Sequence, residues 1–300
     1  MTLNVKSDSS LARTIIETIV FFDLFEYPLT AYEIYKYSNR GAALGDILEE
    51  LATLDVATKN GFYFLRGREE IVATRKKRHN YACRKIKIAQ RFARLFGFCP
   101  FVKMVALANS LGQHNLRDES DIDFFIITAP RRIWLSRLYC AGWAKILNRR
   151  PTATDKKDKI CLSFYISADR LNLDDLRLAG ADPYFDHWRS HLVLLYNKEE
   201  MFDRFLRAND LPDSRPVAPM SGLTPADRRP GVLDSLNNQL EKIAKRLQLK
   251  IMSPALKAAM NNSDGVVIND RVLKLYRHDR RREYAEKYGQ KINEIFADGA

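Results

Sequence analysis

The stretch "ALANSLGQHNLRDESDIDFFIIT", residues 106–128, places two acidic residues at the start of an apolar run. That run reads as a buried β-strand, and the β-prone "FVKMVALANS" before it reads as another, with the polar "LGQHNLRDE" between them. Side chains at i and i+2 of a strand share a face, so Asp121 and Asp123 point the same way. Carboxylates this close repel each other, and a bound Mg²⁺ would neutralise them. The alternative is a pair of exposed carboxylates that cap a turn.

The sequence around the aspartates favours the metal site. One β-prone run ends in small residues and Ser110, ten residues follow, and Asp-Ile-Asp then opens the next strand. This arrangement is similar to the signature of the DNA polymerase beta-like nucleotidyltransferase superfamily, of the minimal nucleotidyltransferase type. The resemblance covers roughly residues 98–170 and implies a small mixed-sheet domain.

The resemblance also implies an activity and its residues. Asn109 and Ser110 would open a helix against the phosphates of a nucleoside triphosphate, and Asp121 and Asp123 would be the catalytic ligands of Mg²⁺. The reaction would transfer a nucleoside monophosphate to an unknown hydroxyl acceptor and release pyrophosphate.

Two positions depart from that signature. Asn109 stands where the family has glycine, and the strand "KICLSFYIS", residues 159–167, has no acid to serve as third carboxylate. We expect Cys161, Ser163 and Tyr165 to share the face where that carboxylate would sit, and Asp169 and Asp174 to lie beyond it. The alternative function is therefore a catalytically degenerate protein of the same fold that binds nucleotide or nucleic acid as a regulator.

Residues 1–67 predict a helical module closed by a hairpin. Thr30 and Glu33 form a capping-box pattern, and Asn60-Gly61 between two β-prone runs is a strong hairpin signal. Three short helices and a hairpin resemble a winged helix-turn-helix. Because the polar side of the third helix is acidic, we favour a packing or protein-contact role over DNA binding.

Residues 68–97 predict a long connecting helix that is rich in basic residues. The net charge of the chain is +12 and its pI about 9.5, which favours phosphate-bearing partners such as a nucleoside triphosphate or nucleic acid. A solvated basic face explains the same pattern equally well. The basic residues of this helix are Arg75, Lys76, Lys77, Arg78, Arg84, Lys85 and Lys87.

Residues 171–300 predict a helical C-terminal region with a linker at about 211–231 that is rich in proline, glycine and serine. His187 and His191 lie four apart, and we interpret them as packing or surface residues. A basic cluster around Arg280 would either contact phosphate or form a solvated helix face. An amphipathic helix carries Leu233, Leu236, Leu240, Ile243, Leu247 and Ile251.

The composition limits the class of protein. The four cysteines show no disulfide or zinc spacing, and no segment has the length and hydropathy of a membrane span or a signal peptide. The expected protein is an α+β cytoplasmic protein, with a nucleotidyltransferase domain between a winged-helix-like module and the helical C-terminal region.

Overall fold

The computed structural model describes residues 10–38, 41–108, 115–211, 232–261 and 264–296, and these form an α+β structure. The helices are α1 (Ser10–Asp23), α2 (Ala31–Ser38), α3 (Leu44–Thr53), α4 (Glu70–Gly97), α5 (Ile133–Ile146), α6 (Pro183–Ser190), α7 (Met201–Ala208), α8 (Val232–Ile251), α9 (Pro254–Ala258) and α10 (Arg281–Phe296). The strands are β1 (Ala57–Lys59), β2 (Phe62–Phe64), β3 (Val102–Leu107), β4 (Ile122–Thr128), β5 (Ile160–Ser167), β6 (Val193–Asn197), β7 (Val266–Ile268) and β8 (Val272–Leu275).

The chain divides into two compact units. The first comprises residues 1–80, 181–184 and 280–300, and the second comprises residues 81–180 and 185–279. The first unit ends its longest segment at residue 80 and the second unit begins at residue 81, so the boundary falls inside α4. The described part of the chain contains no helix with the length and apolar character needed to cross a membrane.

The first unit contains the predicted helices and hairpin. The Thr30 hydroxyl accepts from the Glu33 amide at 3.2 Å, and the Glu33 carboxylate accepts from the Thr30 amide at 2.8 Å, which confirms the capping box. β1 and β2 pair around Asn60 (φ 54°) and Gly61 (φ 76°), so the predicted hairpin is confirmed. Positive φ at both central residues is what a type I′ turn requires, and Asn-Gly suits it.

A mixed six-stranded sheet in the order β6-β3-β4-β5-β8-β7 forms the centre of the second unit. β4 and β5 are parallel, and the other neighbouring pairs are antiparallel. One side of the sheet packs through Phe124 and Ile126 against α4 and α5. On the other side Phe125 and Phe164 pack against Trp188 of α6, and Phe125 also contacts Phe205 of α7.

The C-terminal region is less helical than predicted. The segment "VLLYN", which belongs to the region predicted to be helical, is strand β6 at the edge of the sheet, where it pairs with β3. A short apolar run fits a strand and a buried helix segment equally well, and the free edge of β3 decides between them. β7 and β8 add two more strands to the opposite edge.

Helix α8 also buries a different face from the one its pattern indicates. It docks on α5 through Glu241, which accepts from the amides of Trp134 and Leu135 at 2.8 and 2.9 Å, and through the buried Ala244 and Gln248. The described residues of its apolar stripe are instead 41–72% exposed: Leu236, Leu240, Ile243, Leu247 and Ile251. The predicted linker, apart from Leu211, lies outside the described residues.

Candidate metal centre

The two aspartates lie where the central parallel pair of strands begins. Asp121 directly precedes β4, Asp123 is its second residue, and Asp123 pairs in register with Cys161 of β5. Residues opposed on neighbouring strands project to the same side of the sheet. The Cys161 side chain therefore comes beside the Asp123 carboxylate.

Three possible ligand atoms converge at this point. One carboxylate oxygen of Asp121, one of Asp123 and Sγ of Cys161 all lie within 4.8 Å of one another. All three residues are half-buried. The structure thus brings the aspartates together as their spacing predicts, and their role as metal ligands stays a prediction.

The electrostatics of this group disfavour its negative charges. Burial raises the pKa of Asp121, although the positive charges of Lys156 and Lys85 act against that shift. Burial also raises the pKa of the Cys161 thiol, and the charges of Asp123 and Asp121 raise it further. A bound cation would reverse these effects because it stabilises the ionised forms.

The donor set fits Mg²⁺ through its oxygens. Mg²⁺ prefers carboxylate ligands and keeps several waters, so two carboxylates with room for further oxygens suit it. The sulfur of Cys161 suits softer metals and lies 3.0 Å from the hydroxyl oxygen of Ser163. Asp121 and Asp123 are therefore the residues that would hold a magnesium ion.

A β-bulge changes the face that Tyr165 occupies. Asp123 pairs with Cys161 but Phe125 pairs with Phe164, so β5 has one residue more than β4 across this interval. Phe164 consequently takes the side of Cys161, and Tyr165 turns to the opposite side. The prediction that Tyr165 shares a face with Cys161 and Ser163 was wrong, because strict alternation fails at a bulge.

Asp169 and Asp174 lie beyond β5, as expected, and both have partners there. Asp169 accepts a hydrogen bond from Ser167 and forms an ion pair with Arg271, and Asp174 forms an ion pair with Arg189. Among the described residues, the three-donor group at the start of β4 contains no third carboxylate.

Asn109 and Ser110, the predicted phosphate-binding pair, lie outside the described residues. The last residue before them is Ala108, whose amide donates to the Asp123 carbonyl at 3.0 Å. Ala108 therefore lies directly beside one of the two aspartates.

Lys85 is a supporting residue that the sequence did not reveal. Its side chain is fully buried, and its ammonium donates to the carbonyls of Asp118 and Ser120 at 3.0 and 2.5 Å and to the Asp158 carboxylate at 2.8 Å. Arg84 donates to the carboxylates of Asp118 and Asp158. The two basic residues therefore connect the segments that precede β4 and β5. They thereby fix the positions of Asp121 and Cys161, which lie at the starts of these strands.

Other basic residues of α4 are also held by partners. Arg75 forms a two-pronged ion pair with Glu33 at 2.7–2.8 Å, and Arg78 donates to the Phe25 carbonyl and pairs with Glu26. Much of the basic pattern thus makes contacts within the chain, a role that the pattern itself does not indicate. The exposed members of the predicted face are Lys76, Lys77, Arg84 and Lys87.

The two histidines and two residues of the Arg280 cluster have partners within the chain. His187 and His191 stack with ring centroids 4.2 Å apart on α6 and beyond its end, and no described histidine belongs to a three-donor group. Arg280 pairs with Glu283, and Arg281 pairs with the buried Asp182 at 2.8 Å.

Comparisons of the chain with protein-family models, with curated proteins and with solved structures gave no match.

Proposed function

We propose that this chain is a magnesium-dependent nucleotidyltransferase that uses a nucleoside triphosphate and an unidentified hydroxyl acceptor. The observation that supports this most is the convergence of Asp121 and Asp123 at the start of the central strand β4. Paired carboxylates in that position suit a site for metal-assisted phosphoryl chemistry.

Each residue of the proposed site has a distinct task. Asp121 and Asp123 hold the ion, which when bound supplies positive charge to the reacting phosphate oxygens. Asn109 and Ser110 contact the phosphates, and Lys85 holds the segments that precede β4 and β5 in place. Nucleic acid is one candidate class of acceptor, since the chain is strongly basic.

A second function is favoured by one observation. Cys161 stands beside Asp123, where an acidic side chain on β5 would complete a two-metal site, and sulfur is a poor ligand for Mg²⁺. The chain would then bind a nucleotide, or nucleic acid, without transferring it, and would act as a regulator.

Incubation with each labelled nucleoside triphosphate and Mg²⁺ separates these functions. If the chain transfers nucleotides, the parent and Asp169→Asn should release pyrophosphate, whether or not the protein itself becomes labelled. Asp123→Asn should not release it. Asp169 is the matched control because its carboxylate lies outside the ligand group. Nucleotide binding without pyrophosphate release supports the regulator, and the absence of both contradicts the transferase and a regulator that binds nucleotide.

A further inference from the structure

The buried stripe of α5 contains one charged residue. Ile133, Cys140 and Ala144 are fully buried on the side of this helix that faces the sheet, and Arg137 lies among them at helical spacing. Its Nη1 donates to Oε1 of Gln248, a buried residue of α8, at 2.7 Å. An arginine in such a stripe needs partners for its remaining N–H groups.

Three buried polar atoms around Arg137 have no hydrogen-bond partner. They are Nε of Arg137, Nη1 of Arg150 and the hydroxyl oxygen of Tyr165. Tyr165 is fully buried, and its side chain lies near Cys140 of α5 and near both arginines. Buried donors are nearly always satisfied in native proteins, so the two guanidinium nitrogens indicate a missing acceptor. The Tyr165 hydroxyl, whose neighbour Cys140 offers only a weakly accepting sulfur, can donate to the same acceptor.

The charges lead to the same conclusion. Burial lowers the pKa of Arg137, and the positive charge of Arg150 lowers it further. In the described part of the chain, no carboxylate forms an ion pair with either arginine. Two neighbouring guanidinium groups with buried nitrogens are costly unless an anion lies between them.

We propose that Arg137, Arg150 and Tyr165 form a binding site for a phosphoryl oxyanion, supplied as inorganic phosphate or as a phosphate monoester. Guanidinium groups bind phosphate through paired hydrogen bonds, and a phenol adds a third donor. Both arginines are half-buried, so part of each reaches solvent and gives an anion access. The inference does not rest on the proposed function, since it uses none of the aspartates and Tyr165 projects to the side of the sheet opposite Asp123 and Cys161.

The test measures phosphate binding by calorimetry on the full chain, in a buffer with EDTA and with ionic strength matched by sodium chloride. EDTA removes divalent ions, so the Asp121–Asp123 group contributes no metal-bridged binding. Inorganic phosphate and glycerol phosphate are titrated separately, and the tighter of the two identifies the source of the phosphoryl group.

The variants are Arg137→Met, Arg150→Met and Tyr165→Phe, with Arg94→Met as the matched control because Arg94 is exposed on α4. We expect phosphate affinity to fall at least tenfold in each arginine variant and to be unchanged in the control. Tyr165→Phe removes a single hydroxyl and tests the site even if an arginine variant does not fold; we expect it to weaken binding severalfold. Absence of binding to the parent protein, or equal binding by the parent and all four variants, overturns the proposal.

Discussion

Replacing the buried Lys85 with Met should destabilise the protein and disturb the segments that precede β4 and β5. The change removes the three hydrogen bonds that the ammonium donates to Asp118, Ser120 and Asp158, and it leaves two carbonyls and a carboxylate without that donor. Met has a similar length and fills most of the space, so the effect reports on the polar contacts rather than on a cavity.

The magnitude follows from the burial of the ion pair. Removing one partner of a buried pair costs about 3–5 kcal/mol. Arg84 remains close to Asp158 at 3.1 Å and compensates in part, so we expect a loss near the lower limit, about 3 kcal/mol.

The dependence on pH provides a second check. Burial raises the pKa of Asp158, but the hydrogen bonds from Lys85 and Arg84 outweigh this and leave the pKa lowered from 3.8. The stabilisation from a lowered carboxyl pKa is complete above the ordinary value and is lost as the pH falls through the lowered one. The deficit of Lys85→Met should therefore be constant above about pH 5 and shrink below pH 3.8.

Urea unfolding of the parent, Lys85→Met and Lys87→Met measures this effect. Lys87 is the matched control because it is exposed two residues further along α4, and its replacement should change stability by less than about 0.5 kcal/mol. If Lys85→Met is no less stable than Lys87→Met, the supporting role of Lys85 is refuted.

Three further results are expected. Gly61→Ala should cost about 1 kcal/mol in urea unfolding, because φ of 76° suits glycine; an unchanged stability would contradict the type I′ turn. Arg75→Met should lower stability by about 1–3 kcal/mol because it leaves the half-buried Glu33 without its two-pronged partner, and a neutral result would mean that the pair contributes little. If α4 binds nucleic acid, replacing the exposed Lys76 and Lys77 with Ser should flatten the salt dependence of binding while preserving stability, and an unchanged slope would leave these lysines as a solvated surface.

Local signals in the sequence were enough to predict several elements. The Thr30–Glu33 capping box and the Asn60-Gly61 turn depend on residues within three positions of each other, and both are present. The shared face of Asp121 and Asp123 follows from the period of a strand, and their carboxylate oxygens do lie together.

The features that depend on distant residues were not predictable in this way. Strand β6 exists because β3 offers it a pairing edge, and the bulge that turns Tyr165 away from Cys161 arises from the register of β4 and β5. Lys85 reads as one more basic residue until the fold places three acceptors around it. Sequence periodicity contains no information about such partners.

Calorimetric titration of the metal-free protein with a nucleoside triphosphate, with and without Mg²⁺, tests the proposed function most directly. The parent should bind nucleotide in a magnesium-dependent manner, and Asp121→Asn should lose that binding. Because burial raises the pKa of Asp121, the folded protein disfavours the ionised carboxylate more than the unfolded chain does. Removing that charge should therefore leave the melting temperature of the metal-free variant unchanged or raise it. Absence of magnesium-dependent binding in the parent, together with early melting of the variant, would show that Asp121 is structural and contradict the proposed function.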